Sequence, residues 1–266
     1  MAIARPGDLS SSHEEYDIRR IGLQDLRIAL AQGWDDFQAK RGDLVFIGFV
    51  YPVVVVLAIL MASQVSILPL LFPLIAGSVL FSPALATGFY ELARRRELGL
   101  DSRWRHFLDV VRGPSSAALF DLTSVTAMLF LAWIAAAWFI YHSTVGQLGP
   151  GAISSAGVFL NTVFGTAEGW RMIIFGNLAG LCFAIVTLAV SAVSFPMIVD
   201  KKVNWGVALR TSVRVAWNNP VTIAAWGLIV VTLLILGALP GLVGLAVVLP
   251  VLGYATWHLY TRAVVR

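Results

Sequence analysis

Cysteine, histidine and charge are scarce in this chain, and each scarcity removes a class of chemistry. The one cysteine, Cys182, excludes an intramolecular disulfide and any cysteine-based metal cluster. The four histidines are scattered. His13 and His106 stand in polar segments, and His142 and His258 stand near opposite ends of apolar runs. Bis-histidine haem ligation needs two histidines at one membrane level, so a haem site is not expected. No HxxxH, HExxH or acidic pair with ligand spacing occurs, so no metal site is expected either. A Gly-x-Ser-x-Gly elbow and a Walker A pattern are both missing. The reading is of a protein with no catalytic residues and no cofactor, not an enzyme.

Only 13% of the residues are charged and 58% are hydrophobic, with a mean hydropathy of +0.81. A soluble domain of 266 residues cannot hide that much apolar surface. The composition predicts an all-α membrane protein. Six runs approach the roughly 20 residues that cross a bilayer core. They cover about 44–62, 68–92, 116–141, 172–199, 221–239 and 241–260. Residues 1–20 are polar and lack the apolar stretch of a signal peptide, so the first run is expected to direct insertion. They form a polar N-terminal arm ahead of a single transmembrane domain, 21–266.

The 19 Lys and Arg residues are distributed unevenly. The N-terminal segment carries six, the connection between runs two and three another six, the connection between runs four and five four, and the C-terminus two. Arg171 alone falls on the other side. The positive-inside bias makes both termini cytoplasmic and explains the net charge of +4 without invoking nucleic acid. The outer connection 142–170 is long, almost uncharged, and apolar enough at 157–164 to lie on or re-enter the interface.

The three basic segments share a pattern. Leu23, Leu26, Leu30, Trp34 and Phe37 fall on one helical face. Trp104, Phe107, Leu108 and Val111 do the same, as do Trp205, Leu209, Ser212 or Val213, and Ala216. Each is expected to be a short amphipathic helix at the inner headgroup level, preceding a two-span hairpin. The chain thus reads as three hairpin units, about 23–96, 100–200 and 203–266. In the first and third units Pro83 aligns with Pro250, Tyr90 with Trp257, and Arg95 with Arg262. Coincidental likeness among apolar hairpins is the plainer alternative.

The candidate partner or polar residues are Trp34, Trp104, Trp205, Asp121, Glu91, His258, Gly176 and Gly180. Asp121, in the first turns of run three, is an intramembrane ionisable group of the kind that often serves function. The plainer reading has it near the interface, paired with Arg112 or an arginine of 94–96. Glu91 and His258 occupy aligned positions and would pair if the hairpins pack as repeats; otherwise they are interfacial anchors beside Tyr90, Trp257 and Tyr260. Gly176 and Gly180 form a small-xxx-small motif for close helix packing, within the chain or against a partner.

Phe195-Pro196-Met197-Ile198-Val199-Asp200, Asn218-Asn219-Pro220 and the closing stretch 249–260 resemble a bacterial family of predicted integral membrane proteins whose domain has no known function. Residues 29–37 fit the same pattern. The resemblance implies a bacterial inner membrane and six spans, and supplies no activity and no site residues. A weaker likeness reaches membrane domains fused to some glycerophosphodiester phosphodiesterases, whose phosphodiesterase domain is missing here.

The leading expectation is a non-enzymatic accessory or scaffold subunit in the bilayer, binding another membrane protein or a further copy of itself, a respiratory complex being one case. The alternative is a transporter or channel for an apolar or amphipathic solute, which needs a polar cavity around Asp121, Asn177 or Glu91. Mitochondrial-type carriers also have three parallel hairpins, but their proline–acidic–basic signature is missing after Pro83 and Pro196. A lipid-acting enzyme using Asp109, Asp121 or His106 is the third possibility.

Overall fold

The computed structural model describes residues 16–39, 68–240 and 242–266. Run one, 44–62, and the arm up to residue 15 lie outside the described residues. The rest is helical, and the single β-bridge among the described residues joins Ile18 to Val264.

Helix α1 spans 23–39. Run two is broken into α2 (Leu68–Ser78), a 3₁₀ turn (Val79–Phe81), α3 (Ser82–Leu85) and α4 (Thr87–Glu97). A 3₁₀ turn (Trp104–Leu108) and the single helical turn α5 (Asp109–Arg112) lead into α6 (Ser116–Ser143). Two further 3₁₀ turns precede α7 (Ala156–Gly165) and α8 (Ala167–Ser191). Then follow α9 (Ser194–Lys201), α10 (Trp205–Asn218), α11 (Pro220–Ala238) and α12 (Leu245–Ala263). Boundaries follow local chemistry. The Ser155, Thr166 and Asn204 side chains accept from the first free N–H groups of α7, α8 and α10, and Pro220 opens α11.

Four helical stretches are long and apolar enough to cross a membrane: Leu68–Glu97, Ser116–Leu148, Ala167–Lys201 and Pro220–Ala238. Run six corresponds to α12 and is not among them. Its second half carries Tyr254, Thr256, Trp257, His258, Tyr260 and Arg262, which lower its hydropathy. The outer connection forms the apolar helix α7, packed on α8 through a small cluster of Tyr141, Val145, Ala152, Phe159 and Val163.

The main core lies at the end of the bundle where the basic segments converge. Its largest buried side chains are Trp257, Tyr90, Tyr254, Tyr260 and Phe195, from α12, α4 and α9. Close approach there depends on missing side chains. A Cβ on Gly33 would stand 2.7 Å from the Ala255 backbone nitrogen, and one on Gly253 would stand 2.8 Å from Phe89. The Phe107 ring covers Gly88 and meets Phe89 edge-on at 5.0 Å.

This packing corrects the expectation of three interfacial helices. Helix α1 turns Leu26, Ala29 and Phe37 into the protein core, and α10 turns in Ala208, Thr211, Ser212 and Val215. The second segment is not one helix. Gly113-Pro114 stops it after a single turn, leaving Phe107 and Val110 packed and Trp104, Leu108 and Val111 exposed.

The α8–α9 break shows how backbone groups are satisfied inside this core. The i→i−4 bond from Val193 to Ala189 is interrupted by a side chain. Ser212 Oγ donates to the Ala189 carbonyl at 2.7 Å and accepts from the Val193 N–H at 3.3 Å. A hydroxyl inserted into the ladder bends the chain while keeping both groups bonded. Ser212→Ala is therefore expected to cost roughly 2 kcal/mol, because both backbone groups lose their partner. Ser191→Ala should cost less, since its hydroxyl bonds only its own helix at Thr187. Thermal unfolding of the detergent-solubilised variants checks the order.

Candidate functional site: the charged end of the bundle

Acidic and basic side chains from five chain segments interlock around the C-terminal half of α12. Asp36 of α1 is buried, and its carboxylate meets His258 Nε2 at 2.8 Å and Arg96 Nη1 at 2.8 Å. Arg96 also donates to the Asp35 carbonyl. One carboxylate thus ties α1, α4 and α12 together.

A second cluster holds the chain end. Arg266 donates from Nη1 to Glu97 at 2.6 Å and from Nε to Asp200 at 3.2 Å. Its guanidinium lies 4.8 Å from the Trp257 ring centre and 5.7 Å from that of Tyr260. The Trp257 indole donates to Glu97 and the Tyr260 hydroxyl to Asp200. Arginine suits this place because its flat cation stacks on rings while its edge serves two carboxylates. Around the rim, Arg262 reaches Asp25 and Gln32.

The N-terminal approach is clamped by backbone. Arg19 N–H donates to the Ala263 carbonyl and Val265 N–H to the Asp17 carbonyl. The Asn219 side chain accepts from Ile21 N–H, and the Thr222 hydroxyl donates to the Ile21 carbonyl. Residues 17–22 are thus fixed between the C-terminus and the α10–α11 elbow.

Glu91 anchors the third cluster. Arg94 donates to both its carboxylate oxygens, at 2.8 and 2.9 Å, and Arg95 to one at 2.8 Å, from the i+3 and i+4 positions of the same helix. Arg95 continues to Asp109, which meets His106 Nδ1 at 2.6 Å. Arg103, Arg105 and His106 converge on Asp101. Hydrogen bonds hold these exposed carboxyls below the usual carboxylate range, from Arg103 at Asp101 and from His106 at Asp109.

Glu91 and His258 do not meet. The aligned positions of α4 and α12 carry them to different partners, Arg94 and Arg95 for one and Asp36 for the other. Trp34 and Trp104 are exposed, Trp34 leaning on Phe37, while Trp205 packs against the core. A Cβ on Gly180 would meet the Trp133 ring at 3.3 Å, so Gly180 serves packing of α8 on α6. Gly176 has no neighbour within 4 Å of its Cβ position, and Asn177 bonds its own helix at Ile173. Asp121 is exposed in an open groove and makes no ion pair with Arg112 or with Arg94–Arg96 among the described residues.

Sequence reasoning missed Asp36, Glu97, Asp200 and Arg266. The signal available was that each acidic residue stands beside a basic cluster on a segment with a packed face. Counting positive charge alone hid the pairing. At least seven arginines are engaged in internal ion pairs: Arg94, Arg95, Arg96, Arg103, Arg105, Arg262 and Arg266.

The arrangement neutralises buried charge and pins helices. Among the described residues no three of His, Cys, Asp and Glu come together as a metal-holding group. Removing Asp36 leaves a partly buried His258 and the exposed Arg96 without their shared acceptor. Asp36→Ala is expected to destabilise by roughly 3 kcal/mol, whereas Asp101→Asn, in the exposed cluster, should change stability little. Parallel melting curves compare the two.

No curated protein and no solved structure matches the chain. Residues 71–200, which run from α2 to the end of the Phe195–Asp200 stretch, match the family described as predicted integral membrane protein (DUF2189).

Proposed function

We propose that the chain is a non-enzymatic accessory or scaffold subunit of a bacterial inner membrane, holding another membrane protein or a second copy through its spans. The supporting observation is a mismatch in packing. The charged end is a dense core, yet only 11% to 22% of the most apolar window of each candidate span is buried. A packed base carrying uncovered apolar helices suits a protein whose spans complete their contacts with other chains and with lipid. Gly176, open on α8, offers a place where a partner helix backbone can approach closely.

In this reading the charged end faces the cytoplasm with both termini, as the positive-inside bias requires. Run one and α12 complete six spans in three hairpins. The transporter alternative draws less support. Glu91 is filled by two arginines and Asn177 is bonded within its helix, which leaves only the Asp121 groove.

Native purification in mild detergent, followed by mass measurement of the particle and identification of its components, tests the proposal. A particle heavier than one 28.8 kDa chain with its detergent, containing a stoichiometric partner or a second copy, is expected. A lone monomer at all protein concentrations would overturn it.

A further inference from the structure

The groove at the α5–α6 elbow pairs an unsatisfied carboxylate with apolar walls. Ala84, Val111, Leu119 and Phe120 give it apolar lining, and Thr87, Ser116 and Thr123 stand among them beside Asp121, around a cavity of about 540 Å³. Asp121 is exposed there and has no hydrogen bond or ion pair among the described residues. The Thr87 hydroxyl is already committed to the Ala84 carbonyl. Neighbouring arginines do not fill the groove, because Arg94, Arg95 and Arg96 are bound to Glu91, Asp109 and Asp36.

Asp121 lies two turns into a candidate membrane helix, at the depth where polar headgroups give way to acyl chains. A bare carboxylate at that level, in a groove that also offers Ala84, Leu119 and Phe120, is complementary to an amphiphile with a cationic N–H headgroup. We propose that this groove binds a phospholipid bearing a primary ammonium headgroup, phosphatidylethanolamine. The ammonium donates to Asp121, and the acyl chains run along Phe120 and Val111. Phosphatidylcholine has no N–H donor and cannot make the first contact. Phosphatidylglycerol carries no cation and would face Asp121 with like charge. The inference rests on the membrane placement of α6 and is independent of any protein partner.

The test is lipid retention by the full chain in nanodiscs and detergent, read by native mass spectrometry. Wild type is expected to retain phosphatidylethanolamine over phosphatidylcholine by about tenfold, the weight of one charge-assisted hydrogen bond. Asp121→Asn should erase that preference, Asp121→Glu should keep most of it, and Asp101→Asn should leave it intact. Millimolar phosphoethanolamine should fail to displace the lipid, since the acyl chains supply part of the affinity; displacement would identify a soluble amine as the ligand and overturn the lipid assignment. Equal retention of the two lipids by wild type, or an unchanged preference in Asp121→Asn, would overturn the site. Thr87→Val, which leaves the carboxylate in place, serves as a folded control if Asp121→Asn is unstable, and it should preserve the preference.

Discussion

Burial of the C-terminal half of α12 organises the charged end of this protein. Trp257, Leu259 and Tyr260 are fully enclosed by α4, α9 and the chain termini, although their helix also carries His258 and Arg262. Enclosing such a helix favours partners for the polar groups at its edge, and most find one, Arg262 Nε being buried without a partner among the described residues. Asp36 takes His258, Asp25 and Gln32 take Arg262, and Glu97 and Asp200 take Arg266. The acceptors come from three helices, so the same bonds that serve α12 and the C-terminal arginine also fix α1, α4 and α9 around them. Buried ion pairs add little net stability compared with apolar packing, but leaving one unpaired is costly, and that asymmetry enforces a single arrangement.

From this base the apolar helices extend with little mutual cover. Helix α6 packs on α2 and α8, with Trp133 against Gly180 and Phe183, yet most of each span's apolar window stays uncovered. In a bilayer, apolar side chains gain nothing by leaving lipid for each other, so packing alone does not pull such helices together. Their relative positions are inherited from the charged end, where water makes burial favourable. This division, a self-sufficient base and spans that leave apolar surface for other molecules, underlies both the partner reading and the lipid groove beside Asp121.

The helical membrane class was legible because it depends on hydropathy and run length, which are local sums. Caps at Thr166 and Asn204 and the proline at the start of α11 were also local. The amphipathic faces at 23–37 and 205–216 were visible as patterns, but a pattern does not say whether lipid or protein covers it. Leu26 and Phe37 proved to be core while Trp34 remained outside. The segment at 104–112 looked periodic, yet Gly113-Pro114 limits it to a turn. The pairing of Glu91 with His258 failed because aligned positions in two helices become neighbours only if the helices pack in the same register; Gly253 seated on Phe89 sets a different one.

By itself the sequence determined composition, the apolar runs, the uneven placement of Lys and Arg, and the absence of familiar catalytic or metal-binding patterns, because these are properties of residues and their spacing along one chain. Tertiary structure decided which carboxylate answers which arginine, that the C-terminal half of α12 is enclosed, and that Ser212 repairs the break between α8 and α9. The long-range ones join residues as far apart as 19 positions at Val193 and Ser212 and 222 at Asp36 and His258. Contacts at such separations depend on how helices pack, which no local pattern encodes.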